Sequence, residues 1–158
     1  MYEYGRIDQT SLHQSVQNGD VDSVRAFARN FEQFINTGDR YGLMPLHYAT
    51  KDNLIHMARL LVTELRAKVN SMDDGGKTPL HVAAENGHYN MFTKLVTWGT
   101  EVKMCDKYGL ASMHFAAAGE KCKLVKRLSK HCDADANART EVSGRRCIML
   151  REEDTWIW

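Results

Sequence analysis

The sequence is short of proline, of net charge and of long apolar runs. Only two prolines occur in 158 residues. That suits a mostly helical chain, because proline removes a helix donor and clashes with the preceding turn. Lysine and arginine number 21 against 20 acidic residues, so no overall field recruits nucleic acid or an anionic lipid surface. No apolar run is long enough to span a bilayer, and Met1 to Thr10 lacks the apolar stretch of a signal peptide. The four cysteines, Cys105, Cys122, Cys132 and Cys147, stand at spacings that fit neither a zinc site nor a redox motif. They are read as reduced thiols. These absences lead to the expectation of a cytoplasmic or nuclear protein without membrane insertion, built as one domain or a short array.

What the chain does contain is repetition. Four histidines close related tetrapeptides: Thr10-Ser11-Leu12-His13, Met44-Pro45-Leu46-His47, Thr78-Pro79-Leu80-His81 and Ala111-Ser112-Met113-His114. The histidines are 34, 34 and 33 residues apart. Eight residues before each of the last three stands an aspartate, Asp39, Asp73 or Asp106, and three residues after each aspartate a glycine, Gly42, Gly76 or Gly109. An aspartate closes a local turn with its side chain, and glycine accepts the positive φ of a tight hairpin. Each unit is therefore predicted to open with a turn.

A short helix follows in each unit. Thr78 before Pro79 predicts its start, with the hydroxyl capping free N–H groups and proline at the first helical position. Leu80, Ala83 and Ala84 form a narrow small-residue face for close packing. A second turn at Asn18-Gly19, Asp52-Asn53 or Asn86-Gly87 leads to a second helix. Counting from each histidine, position +8 is Val21, Ile55, Tyr89 and Cys122, position +11 is Val24, Ala58, Phe92 and Val125, and position +14 is Phe27, Leu61, Leu95 and Leu128. These steps place an apolar stripe along one side of a helix.

On these residues the chain resembles an ankyrin-repeat protein, since a Thr-Pro-Leu-His motif at a period near 33 residues is specific to that pattern. The third unit matches almost fully, the second well, and the first and fourth in part. The resemblance implies an all-α solenoid of helix-turn-helix units joined by short β-hairpin loops. The units expected are an N-terminal capping repeat at 1–38, repeats at 39–72, 73–105 and 106–137, and a degenerate C-terminal cap or tail at 138–158. Glu141-Val142-Ser143-Gly144 fits a fifth hairpin, but Cys147-Ile148-Met149 replaces Pro-Leu-His. The stretch ending at Trp156 and Trp158 is either an improvised cap or the start of further repeats.

Candidate chemistry is sparse. The motif histidines are expected to support backbone hydrogen bonds between units, and His56, His88 and His131 to be solvated. Gly76-Lys77-Thr78 resembles the end of a phosphate-binding loop, but Ser71 stands where that loop needs glycine. No cysteine has a matching histidine and acid motif, so no nucleophile is assigned. Cys122 is expected in the core and Cys105 exposed. No catalytic residue, metal site or cofactor is expected.

The hairpin tips offer more. The resemblance places Arg40, Tyr41 and Leu43, then Asp74, Gly75 and Lys77, then Lys107, Tyr108 and Leu110 on projecting fingers. Tyrosine and arginine favour interface centres. The helix positions beside the fingers are Lys51 and Asp52, Glu85 and Asn86, and Ala118 and Gly119. Trp98 is either a surface anchor or packs on the next unit. Lys121, Lys123, Lys126, Arg127, Lys130, Arg139, Arg145 and Arg146 form a basic region, read as a solvated face before an anion patch. The function expected is a non-enzymatic, monomeric protein–protein interaction module, an adaptor or inhibitor in signalling. The alternative is the cytosolic ankyrin array of a larger protein such as a channel or kinase.

Overall fold

A computed structural model describes residues 9–118 and four short segments, 139–142, 145–148, 150–152 and 155–157. Helices α1 (Gln9–Gln17) and α2 (Val21–Phe31) form the first pair, and a 3-10 turn, Glu32–Asn36, ends it. Helices α3 (Pro45–Lys51) and α4 (Ile55–Arg59) form the second, with α4 running into a π-helical turn at Leu60–Glu64. Helices α5 (Pro79–Asn86) and α6 (Tyr89–Thr97) form the third, and α7 (Ser112–Ala118) opens the fourth. Strands β1 (Arg139–Val142) and β2 (Arg145–Ile148) pair antiparallel, as do β3 (Leu150–Glu152) and β4 (Thr155–Ile157). The first strand pair falls where the sequence placed a fifth hairpin. The expected second helix of the fourth unit, with Cys122, Val125 and Leu128, lies outside the described residues, as does His131.

The first helices stack on one another: α3 on α1, α5 on α3, and α7 on α5. Their small faces make this possible. Leu46 and Ala49 of α3, Leu80, Ala83 and Ala84 of α5, and Met113, Ala116 and Ala117 of α7 are all buried in a single apolar cluster. The second helices close it from the other side with Val24 and Ala28, Met57, Ala58 and Leu61, and Met91, Phe92 and Leu95. Each large side chain so buried contributes about 1.5–3 kcal/mol relative to exposure. At position +8, Val21 and Ile55 pack against this cluster and Tyr89 departs from the stripe. Val21 and Ile55 are half-buried, and Tyr89 is 39% exposed.

The helix starts carry a capping group beyond the one expected. α5 begins with a capping box between Thr78 and His81. The N-cap N–H groups of Met44, Thr78 and Ala111 donate to Nδ1 of His47, His81 and His114, at 3.1, 3.1 and 3.0 Å. The histidine three residues on thus covers the N-cap amide, a donor that the side chain at the cap position does not serve. Thr78 Oγ1 lies 2.8 Å from the same His81 nitrogen.

The extra residue of the second unit has a visible place. In the third unit Thr100 N–H donates to Leu95 O at 3.3 Å, and Gly99 takes the left-handed turn at φ 87°. In the second, Ala67 N–H donates to Leu61 O at 2.8 Å, one residue further along, and Arg66 takes the left-handed position at φ 56°. Leu61 and Leu95 are equivalent, so the added residue sits between Leu61 and Ala67. The π-helical turn absorbs it without moving the core positions. Asparagines 34 residues apart then bind unit to unit. Asn36 Oδ1 accepts from Lys68 N–H at 2.7 Å, and Asn70 Oδ1 accepts from Glu101 N–H at 2.9 Å.

Candidate functional site

Three fingers, residues 39–43, 73–77 and 106–110, are built by the same bonds. One carboxylate oxygen of the leading aspartate accepts two backbone N–H groups. Asp39 takes Tyr41 at 2.8 Å and Leu43 at 3.0 Å, Asp73 takes Gly75 and Lys77 at 2.8 Å each, and Asp106 takes Tyr108 and Leu110 at 2.9 Å each. The aspartate N–H donates back to the carbonyl four residues on, at 3.1, 3.0 and 3.0 Å. Neighbouring fingers also bond directly: Asp74 N–H donates to Tyr41 O at 3.1 Å, and Lys107 N–H to Gly75 O at 3.0 Å. Gly42 shows why this spacing needs glycine. Its φ is 72°, and a Cβ there would lie 2.6 Å from Asp74 N.

Each finger is also tied to the helix behind it. His47 Nε2 lies 3.0 Å from Lys77 O, and His81 Nε2 lies 3.1 Å from Leu110 O. A carbonyl can only accept and an N–H can only donate. Both rings are therefore neutral, with the proton on Nε2 and the lone pair of Nδ1 facing the N-cap. Burial pushes both imidazoles below their ordinary pKa, against the pull of the backbone carbonyls and nearby aspartates. His47 and His81 thus support backbone bonds between units, as expected of the motif histidines. His88, expected to be solvated, is half-buried and donates through Nε2 to Lys51 O at 2.9 Å. It has the same job between α6 and α3, visible only once the pairs are stacked.

The first finger has a further tie. Tyr48 hydroxyl donates to Asp39 Oδ2 at 2.6 Å. Burial pushes the Asp39 carboxyl up, but the bonds from Tyr48, Tyr41 and Leu43 more than offset it and hold it below the usual carboxylate range. Burial, together with the Asp39 hydrogen bond and charge, pushes the Tyr48 hydroxyl up to about 12.

With the fingers fixed, the candidate contact residues fall into two sets. At the tips, Tyr41 is 56% and Tyr108 67% exposed, and Arg40, Asp74 and Lys107 are exposed beside them. The Arg40 guanidinium lies over the Tyr41 ring, 4.8 Å from its centroid. Behind the tips, a groove of about 330 Å³ runs between the second and third units, with Leu43, Tyr48, Lys51, Lys77, Val82, Glu85 and Asn86 among its lining residues. Leu43 and Lys77 therefore meet the helix positions Lys51, Glu85 and Asn86. Lys77 Nζ reaches Glu85 at 2.8 Å and lies 4.7 Å from the centre of the Phe115 ring. Leu110 is half-buried at the base of the third finger. Tyr48 and Val82 were not singled out from sequence. They are the residues next to the motif histidines, and their shared offset was the available signal.

Trp98 is not among the groove residues. It caps the C-terminal end of α6, half-buried, and packs against the apolar cluster. Cys105 is exposed. The basic side chains from Lys121 onward lie outside the described residues. Among the described residues no three or more His, Cys, Asp or Glu side chains are placed to hold a metal ion, and no helix is long and apolar enough to cross a membrane.

No curated protein matches the chain. A family profile described as ankyrin repeats (3 copies) matches residues 12–106 and, overlapping, 65–140. Apart from the first residues of α1, the helix pairs, the aspartate-closed fingers and the capping histidines lie within that span, which exceeds half of the 158 residues, and the chain belongs to the ankyrin-repeat family.

Proposed function

We propose that the chain binds a protein partner through its finger tips and the adjoining groove, and that it works as a non-enzymatic adaptor or inhibitor in signalling. Protein–protein interaction is the general work of ankyrin repeats. The observation that carries this reading is the exposure of Tyr41 and Tyr108 on backbones that are already fixed by internal bonds. A large aromatic on a rigid support loses little entropy on binding, which makes it an efficient anchor. Arg40, Asp74 and Lys107 surround these rings with charge, while Leu43, Lys77 and Leu110 give the face its inner edge. Trp98 is assigned a lesser, flanking role because part of its surface is already spent on the core.

The test is affinity capture with the wild-type chain against Tyr41→Ala/Tyr108→Ala, with circular dichroism to show that both are folded. Removing two central anchors should weaken a captured partner by about 2 kcal/mol or more. A partner that binds both forms equally would refute the assignment of the tips.

A further inference from the structure

The ties between fingers and helices depend on one protonation state. Lys77 O accepts from Asp73 N–H at 3.0 Å, closing the second finger, and from His47 Nε2 at 3.0 Å. Leu110 O accepts from Asp106 N–H at 3.0 Å, closing the third, and from His81 Nε2 at 3.1 Å. We propose that His47 and His81 form a pair of acid-released latches, each freeing one finger from its helix when the ring takes a proton from solvent.

The geometry leaves a protonated His47 ring no acceptor at Nδ1, and a protonated His81 ring only the Thr78 hydroxyl. A proton added to Nδ1 of His47 would point at Met44 N–H, 3.1 Å away, and one added to His81 would face Thr78 N–H at 3.1 Å and the Thr78 hydroxyl at 2.8 Å, whose oxygen can accept it. A donor would then face a donor, and the cap N–H would lose its acceptor. Turning the ring to escape gives up the Nε2–H bond to the finger as well. The rings are 1% and 0% exposed, so water does not solvate the charge in place.

The surrounding charges pull both ways. Asp39 and Asp73 favour a cation at His47, as does Asp106 at His81, while the Lys77 ammonium opposes it at His81. Burial outweighs the attraction, and both rings stay neutral below the ordinary histidine range. The sign follows from linkage. A released ring is solvated and titrates near 6.5, so below that pH the open form binds a proton that the latched form refuses. Opening becomes up to about tenfold more favourable per pH unit for each finger, from about pH 6.5 down to the buried ring's own pKa. Lys77 and Leu110 belong to the fingers so released. A loss of partner binding on mild acidification follows only if the proposed contact face is correct.

The latch can be tested without a partner. Hydrogen exchange on the full chain, from pH 7.5 to 5 and corrected for intrinsic rates, reads the Asp73 and Asp106 amides against the Phe92 amide in α6. The finger amides should lose up to about tenfold protection per pH unit below about 6.5, while Phe92 keeps most of its own. His47→Gln should abolish that pH dependence at Asp73 and leave it at Asp106. Finger protection independent of pH, or a parallel loss at Phe92, would overturn the proposal. Should the variant not fold, ring nitrogen shifts of the wild type decide. Nε2–H tautomers whose titration follows finger opening support the latch, and rings that titrate near 6.5 with the finger amides still protected refute it.

Discussion

Deleting Thr63 should be nearly harmless, although it removes a residue from the middle of a helical segment. The second unit is one residue longer than the third, and the π-helical turn Leu60–Glu64 holds the surplus. There Leu65 N–H donates to Leu60 O at 3.1 Å, five residues back. Without Thr63 the same two groups stand four apart, the ordinary α-helical separation. Leu61 and Ala67 would then be separated as Leu95 and Thr100 are, and the buried side chains stay in register. Thr63 is exposed, and its hydroxyl donates to Arg59 O, within its own helical segment, at 2.9 Å. The one neighbour at risk is Glu64, which meets Arg25 at 2.9 Å on the surface, a pair of a kind worth about 0.2–1 kcal/mol. The net change should therefore stay within about 1 kcal/mol, or about 2–4 °C in Tm for a chain of this size. Deleting Thr93 is the control. No π-helical turn is present in α6, so every later residue rotates by about 100°. Leu95, which is fully buried, leaves the core, at a cost of about 2–5 kcal/mol. Urea unfolding followed by circular dichroism compares the two. Equal losses would show that the π-helical turn is not absorbing an extra residue.

Two further substitutions separate the forces in the fingers. Gly42→Ala should cost about 2–4 kcal/mol, combining a positive φ with a Cβ 2.6 Å from Asp74 N that forces neighbouring fingers apart. Gly109→Ala, with φ 76° and nothing within 4 Å of its Cβ, should cost only the conformational part, about 1–2 kcal/mol. Thermal denaturation of the pair measures the difference. Tyr48→Phe should cost about 1.5–2 kcal/mol, the lower part of the range for a hydrogen bond to a charged group, because the site is half-buried. Asp39 is held below its ordinary pKa, so this stabilisation is present above about pH 4 and lost as pH falls through the folded value. The gap between wild type and variant should narrow in acid, and a gap that persists after Asp39 is protonated would assign the effect to packing.

The parts of the fold legible in the sequence are those written in local chemistry. Asp39, Asp73 and Asp106 announce their turns because the carboxylate bonds to N–H groups two and four residues away. Leu80, Ala83 and Ala84 announce a close-packed helix by size alone. What could not be read depends on contacts between units. His88 reaches a carbonyl 37 residues back, and Asn36 and Asn70 reach amides 32 and 31 residues on. Their 34-residue spacing was present in the sequence, but nothing local gives those side chains a partner. The histidine's part in the helix start was hidden for a related reason. Its Nδ1 accepts from the N-cap amide because the next finger holds the ring through Nε2. Tyr89 was misplaced because periodicity gives the direction of a side chain and not its depth of burial.

The candidate face follows from which polar groups the scaffold has already used. The aspartate carboxylates are occupied by finger amides, both nitrogens of His47 and His81 by backbone, and Lys77 by Glu85 and Phe115. Groups so occupied cannot be exchanged without loss of stability. Arg40, Tyr41, Asp74, Lys107 and Tyr108 differ in kind. Their backbones are fixed, while their side chains project from turns whose geometry other atoms maintain. Substituting them changes what the surface presents and leaves the bonds that shape it intact. The middle finger shows the result. It keeps the same turn as its neighbours with Asp74 and Gly75 where they carry Arg40 and Tyr41 or Lys107 and Tyr108. Two basic, aromatic tips thus flank an acidic one with no ring. A partner that uses this face must complement that order along the fingers, and exchanging Asp74-Gly75 for Arg-Tyr should disturb binding far more than folding.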